Sequence, residues 1–123
     1  MRLLLALPLI LLSFAAHAQT PQMPYTWPVT VGTSQSSVMV QNTSRRRIEF
    51  FNASDTAKIA VCPAISRSNS APINCTVNGP GSITLVPYTG YKIDGVGNSP
   101  LVPSAWNAIA SAPNSALTIF EWE

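Results

Sequence analysis

The sequence predicts an all-β protein, in which a single small β-sandwich, jelly-roll-like or Ig-like, of about seven or eight short antiparallel strands follows a cleaved signal peptide. Two observations predict the sandwich: apolar and polar residues alternate with a period of two in several short runs, and turn-forming segments rich in Gly, Asn and Pro separate the runs. A third observation is a pair of cysteines in a chain with an export signal, which is typical of a small domain braced by a disulfide.

Residues 1–18 have the three parts of a secretory signal peptide. Arg2 gives a positive start, Leu3–Phe14 forms an apolar run, and Ala16–Ala18 provides a small-residue cleavage site. The apolar run is too short to cross a hydrocarbon layer of about 30 Å comfortably, so cleavage is favoured over an uncleaved anchor. We therefore expect an exported protein, periplasmic or extracellular, with no membrane span after signal cleavage.

The mature chain divides into an arm and one domain. Residues 19–34 carry three prolines and little periodicity, which predicts an extended Pro-rich N-terminal arm whose first half is poorly ordered. Tyr25 and Trp27 within this arm are available to dock on the domain. Residues 35–123 contain the alternating runs and form the predicted β-sandwich domain, which has room for one modest core.

The alternating runs predict strands at regular spacing along this domain. They lie at Val38–Val40, Ile48–Phe50, Ile59–Val61, Ile83–Leu85, Tyr91–Ile93 and Leu117–Trp122. The last run is apolar on both faces, which places it centrally in a sheet. The segment Ser104–Ser111 is ambiguous, because its alanines favour a helical turn whereas its position before a turn and a strong strand favours a hairpin arm; a strand is the preferred interpretation.

Cys62 and Cys75 are the only cysteines, and an even number in an exported chain predicts a disulfide. Such a bond would close a loop of about 14 residues and stabilise the fold by about 3 kcal/mol. Two buried free thiols are the alternative interpretation. A two-cysteine metal site is disfavoured, because the mature chain has no histidine to complete it.

Side-chain chemistry and charge argue against catalysis. His17 is the only histidine and lies in the signal, which removes histidine-dependent nucleophiles and the usual general base. The carboxylates form no tight motif, and no phosphate-binding loop is present. The formal net charge is +2, or +1 once Arg2 is lost, which does not indicate a nucleic-acid partner. We therefore expect no enzyme activity, catalytic residue, metal or cofactor, and no nucleic-acid partner.

Four aromatic residues are candidates for a binding surface, namely Tyr88, Tyr91, Trp106 and Trp122. Aromatic clusters on sandwiches can stack on sugars or on partner proteins. The favoured interpretation is packing in the core and at the sheet edges.

Arg45, Arg46 and Arg47 stand in a row and form a possible anion contact. Because neighbours alternate across a sheet, we expect Arg45 and Arg47 on one face, with Glu49 paired to Arg47, and Arg46 on the other face. Solvation at the start of a strand is favoured over an anion site, since little other positive charge converges there.

Three blocks of the sequence match short motifs, in which h stands for an apolar residue. They are Gln41–Ser54 with N-x-x-R-x-x-h-x-h-x-N-x-S, Gly81–Tyr88 with G-x-I-x-L-x-P, and Trp106–Glu121 with x-x-A-I-A…x-L-T-h-x-E. Their order is similar to a small β-sandwich module of tailed-phage and prophage structural proteins, where it serves as a particle or fibre accessory. The resemblance covers residues 38–122 and implies a structural role without catalytic residues. The export signal and the cysteine pair are not part of that pattern, which leaves open a bacterial exported relative with only the fold in common.

The leading hypothesis is a non-enzymatic exported structural or attachment module. It would act by surface contacts with a protein partner or with copies of itself, and it would be virion-associated if the phage resemblance holds. The alternative is a small carbohydrate- or ligand-binding module of the bacterial cell envelope, with a cell-envelope glycan as its partner. A small envelope enzyme or enzyme inhibitor is the third hypothesis.

Overall fold

A computed structural model describes residues 23–66, 68–95 and 101–123, so the predicted signal peptide lies outside the described residues. The strands found in these ranges are β1 (Tyr25–Val31), β2 (Ser36–Met39), β3 (Arg47–Asn52), β4 (Ile59–Pro63), β5 (Ile83–Leu85), β6 (Gly90–Asp94), β7 (Trp106–Ala110) and β8 (Ser115–Trp122). Sheet A has the order β1-β8-β3-β6, sheet B has the order β2-β7-β4-β5, and every pairing is antiparallel. The predicted all-β fold is confirmed.

The core lies between the two sheets and follows from the period-two alternation. In β3 the side chains of Ile48 and Phe50 are fully buried, and in β8 those of Leu117 and Ile119 are fully buried. Sheet B contributes Trp106, whose ring centroid lies 5.0 Å from that of Phe50. Burial of each large apolar side chain contributes about 1.5–3 kcal/mol, so these contacts hold the two sheets together.

The second half of the predicted N-terminal arm is a strand of the sandwich. β1 pairs with β8 along its whole length, from Tyr25 opposite Glu121 to Val31 opposite Ser115, and Val31 is fully buried. The predicted domain boundary at residue 35 is therefore too late, because the sandwich already includes β1. Of the three prolines that favour an arm, Pro28 lies within β1, and it is compatible with an edge strand, where a missing N–H can face away from the sheet.

The topology tests two predictions about the C-terminal half. The segment Ser104–Ser111 contains β7, so the preferred strand interpretation is confirmed. β8 lies between β1 and β3, as expected for a central strand, but only one of its faces is fully buried. Its other face carries Phe120 and Trp122, which remain partly exposed on the outside of sheet A.

Asn52 connects the two sheets at one end of the sandwich. Its side chain is fully buried at the end of β3. The amide Nδ2 donates to the carbonyl of Ala57 (2.8 Å) and to that of Leu85 in β5 (3.0 Å). The amide oxygen accepts from the backbone N–H of Ser54 (2.9 Å). Through these three hydrogen bonds the buried side chain fixes the position of the turn after β3 against sheet B.

Candidate functional site

Cys62 and Cys75 form the expected disulfide, and both are buried. Cys62 lies in β4, and Cys75 lies in the segment between β4 and β5. The backbone N–H of Cys75 donates to the side chain of Gln35 (2.6 Å), which in turn donates to the carbonyl of Ile73 (3.3 Å). The disulfide and these bonds together attach the segment after β4 to sheet B and to the start of β2.

Arg45 is buried rather than solvated, which corrects the sequence prediction. Its guanidinium donates to the carbonyls of Val102 (2.9 Å), Ser104 (2.8 Å) and Val40 (2.8 Å). Its Nε lies 3.2 Å from a carboxylate oxygen of Glu121 in an ion pair, although the angle is not that of a hydrogen bond. The physical reason for the difference is that β3 begins at Arg47, so Arg45 lies before the strand and its side chain does not follow the strand alternation.

The three consecutive arginines diverge. Arg46 is exposed, and its backbone N–H donates to the carbonyl of Trp122 (2.8 Å). The guanidinium of Arg47 lies over the ring of Trp122, 5.2 Å from the ring centroid, and its Nε donates to Asp94 rather than to the expected Glu49. With Arg45 buried and Arg47 already paired, the structure does not bring the three side chains together as an anion contact.

The predicted aromatic surface does not assemble. Trp106 is fully buried, so it belongs to the core and not to a surface. Trp122 lies on the outer face of sheet A at the start of β3, opposite Arg47. Tyr91 pairs with Phe50 and shares its inward-facing side at the edge of the sheet, where it is 47% exposed.

Tyr88 is separated from Trp122 by the length of β3. It lies in the turn after β5, where its backbone N–H donates to the carbonyl of Asn52 at the end of β3 (3.0 Å). The side chain next to Trp122 is Phe120, whose ring centroid lies 6.4 Å from that of Trp122 in a stacked arrangement. Phe120 was not among the predicted surface residues, although its alternation with Ile119 placed it on this face.

The free edge of β1 is interrupted by a proline. The carbonyls of Ala116 and Trp122 accept backbone N–H groups from Ala53 and Arg46, on the β3 side. Even-numbered residues of β8 therefore bond to β3 and odd-numbered ones bond to β1. With the observed register, the residues of β1 that point to the free edge are Thr26, Pro28 and Thr30. Pro28 has no N–H to offer, so a further strand cannot form a continuous ladder there.

Both edges of sheet B are short. β2 has four residues and its register shifts between Ser37 and Met39, which is a bulge or irregularity. β5 has three residues, and a turn lies against it: the hydroxyl of Thr84 accepts from the N–H of Asn78 (2.8 Å). Short strands, irregular register and covering turns all protect sheet edges from pairing with another chain.

The edge of β6 carries none of these protections among the residues that the structure describes. The N–H of Gly95 donates to the carbonyl of Arg46 (2.6 Å), and the N–H of Asn52 donates to the carbonyl of Thr89 (2.9 Å). Odd-numbered residues therefore face β3, and the backbone groups that face away from the sheet belong to Gly90, Lys92 and Asp94. We call this row of groups the open edge.

Two other kinds of site are absent from the described ranges. No group of three or more His, Cys, Asp or Glu side chains lies close enough together to hold a metal ion. The same residues include no helix that is long and apolar enough to cross a membrane.

Comparisons with known proteins give one structural likeness. No family model matches the sequence, and neither does any curated protein. A chain from a solved structure described as "Bacillus endospore appendages form a novel family of disulfide-linked pili" is similar with a TM-score of 0.46 and 7% sequence identity, over 80% of this chain and 83% of that chain. At this TM-score the likeness supports no inference about function. The resemblance to phage modules stays a prediction.

Proposed function

We propose that this protein is a non-enzymatic exported structural or attachment module that acts through protein–protein contacts, including contacts between copies of itself. The observation that carries the proposal is the open edge of β6. A row of unpaired backbone N–H and C=O groups on an edge strand is a template for a strand from another chain. Such an addition would extend sheet A.

The contrast between the four sheet edges supports this proposal. Soluble β-proteins protect their edges against unwanted pairing. Here Pro28 interrupts the edge of β1, β2 is short with a shift in register, and the three-residue β5 has a turn against it. Among the residues that the structure describes, the edge of β6 has no proline, register shift or covering turn, and its charged residues Lys92 and Asp94 are of opposite sign. This contrast supports β6 as the contact surface.

The predicted export signal and the disulfide both fit a structural role outside the cytoplasm. Residues 1–18 have the pattern of a secretory signal, and disulfides persist in oxidising compartments. The protein would be periplasmic or extracellular. A more specific proposal is that the protein is associated with a virion, and this depends on the resemblance of residues 38–122 to phage modules.

The carbohydrate-binding alternative is less favoured by the geometry. Sugar stacking requires aromatic rings that share an accessible face. Of the residues predicted to form such a face, Trp106 is in the core, Tyr88 and Trp122 lie at opposite ends of β3, and Tyr91 faces inward. We therefore conclude in favour of the structural module.

The test is sedimentation equilibrium of the mature, disulfide-bonded chain over a wide concentration range, together with capture experiments on envelope and particle fractions. We expect association that increases with protein concentration up to about 1 mM, the range in which weak specific contacts become populated. A chain that stays strictly monomeric and retains no envelope or particle component would contradict the proposal.

A further inference from the structure

We infer that the partner of the open edge is β6 of a second copy, paired antiparallel about a two-fold axis that passes Ile93. This inference rests on the proposed function and specifies its partner and its register. Two copies joined in this way would merge their four-stranded A sheets into one continuous sheet. The pairing would be isologous, meaning that the same surface is used by both copies, as in most two-fold dimers.

The sequence of the open edge is complementary to itself in this register. Lys92 and Asp94 are two residues apart, and both direct their backbone groups away from β3. When Ile93 lies opposite Ile93 of the second copy, Lys92 lies opposite Asp94 and Asp94 lies opposite Lys92. Both of these are hydrogen-bonded pairs, and each joins opposite charges, which stabilises cross-strand neighbours.

The neighbouring registers lack this complementarity. A two-fold axis at Lys92 would place Lys92 opposite its own copy, and like charges in directly opposite positions are destabilising. An axis at Tyr91 would place Lys92 opposite Gly90, which has no side chain, and would leave Asp94 without an opposite charge. The charge pattern therefore selects the axis at Ile93.

Apolar surface at the same edge favours a partner. Tyr91 and Ile93 share the inward-facing side of sheet A, yet Tyr91 is 47% exposed and Ile93 is only partly buried. In the proposed register the two Ile93 side chains meet at a non-hydrogen-bonded pair, where side chains approach most closely. Tyr91 would lie opposite Gly95 of the second copy, which leaves room for the ring.

The outer face of the open edge carries balanced charge. Asp94 is paired with Arg47, and the ammonium of Lys92 lies 3.6 Å from Asp94. Glu49 lies opposite Lys92 within the sheet. These two acidic and two basic side chains sum to zero, so two copies can approach edge to edge without net repulsion.

Charge reversal tests the pairing directly. The K92D variant carries two acidic residues on the open edge and the D94K variant carries two basic ones, so each places like charges opposite each other in its own dimer. We expect each variant alone to associate at least about tenfold more weakly than the wild type, since both cross-strand pairs change from attractive to repulsive. An equimolar mixture restores opposite charges in both pairs, and we expect it to form heterodimers at about wild-type affinity.

A backbone variant tests the same edge without relying on charge. Lys92→Pro removes an outward-facing N–H, while the bonds to β3 use odd-numbered residues and are kept. Lys92→Thr is the matched control, because it removes the same charge and keeps the N–H. We expect K92P to be monomeric and K92T to associate more weakly than the wild type but more tightly than K92D, because K92T loses the two attractive pairs without gaining repulsive ones. Circular dichroism should show that K92P and K92T are both folded.

The register is tested by cysteine cross-linking. Opposite residues in a non-hydrogen-bonded pair have Cα atoms about 4.5 Å apart, within the range of a disulfide. We expect the I93C variant to form an intermolecular disulfide with itself on mild oxidation, and the K92C variant not to do so.

The outcomes separate the possible failures. Wild-type chains that remain monomeric overturn the pairing, and the proposed function then depends on capture of an envelope or particle component. Association that K92P and both charge reversals leave unchanged overturns the pairing and leaves the proposed function standing. Loss of association in K92P without cross-linking of I93C overturns the register.

Discussion

Arg45 and Glu121 form a buried ion pair that ties the residues before β3 to the last strand of the sandwich. The Nε–Oε1 distance is 3.2 Å, and the two side chains are 1% and 9% exposed. Glu121 also accepts a hydrogen bond from the side chain of Asn42. Because the guanidinium additionally binds carbonyls at Val40 and at Val102, this pair connects three parts of the chain that are far apart in sequence.

Removal of Arg45 is expected to destabilise the fold strongly. In the R45M variant Glu121 would remain buried without its cationic partner, and three backbone carbonyls would lose a donor. Breaking a buried pair from one side costs about 3–5 kcal/mol, and we expect a loss of this size in the free energy of unfolding measured with urea. The matched control is R46M at the neighbouring exposed position, where we expect a change within about 0.5 kcal/mol.

The double variant R45M/E121M tests whether the charges of Arg45 and Glu121 are energetically coupled. It removes both charges together, so it should cost clearly less than the sum of the two single variants. Additive losses would show that the two side chains act independently and would contradict the coupling described here.

Asn52 is expected to tolerate no acidic replacement. Both of its amide hydrogens are donated to backbone carbonyls, those of Ala57 and Leu85. In the N52D variant a carboxylate would face these oxygens without a donor, and we expect the free energy of unfolding to fall by about 2–4 kcal/mol. Asn114→Asp is the control, since it makes the same change at an exposed turn residue with φ of 56°, a conformation that Asn and Asp both tolerate. Equal losses in the two variants would contradict a special role for Asn52.

The strands that the sequence predicted well are those with large apolar residues on one face. The alternation of apolar and polar residues was sufficient to predict β3 and β8. The apolar residues of one face all point to the core, namely Ile48, Phe50, Leu117 and Ile119. The sequence instead predicts an arm over β1, because residues 19–34 carry three prolines, one of which, Pro28, lies within this strand. Whether a proline is tolerated depends on which side of the strand its missing N–H faces, and this depends on the register with a partner strand.

The role of Arg45 could not be predicted from local pattern at all. Its ionic partner Glu121 lies 76 residues later in the sequence. Its other acceptors are backbone carbonyls, which every residue possesses, so no residue type marks them. The open edge of β6 could not be predicted from the sequence either, because the strand order decides which strand lies at an edge, and the strand's own sequence does not.

Trp106 is expected to be the most protected of the three tryptophans. It is fully buried against Phe50, whereas Trp27 and Trp122 are partly exposed. A W27F/W122F variant, which retains Trp106 alone, should show blue-shifted fluorescence that acrylamide quenches poorly. Trp106→Ala should cost about 3–5 kcal/mol of unfolding free energy, and Trp122→Ala should cost less. Efficient quenching of Trp106 would contradict its place in the core.

The disulfide is expected to stabilise the fold by lowering the conformational entropy of the unfolded chain. Cys62 and Cys75 close a short loop, and the chain-entropy account gives about 3 kcal/mol for a loop of about 15 residues. The C62A/C75A variant should lose stability of this order in urea unfolding, and dithiothreitol should lower the stability of the wild type but not that of the variant. Amide exchange should increase most in the segment between the two positions, because Cys75 and its bonds to Gln35 hold that segment in place. A wild type that dithiothreitol leaves unchanged would show that the bond contributes nothing to stability.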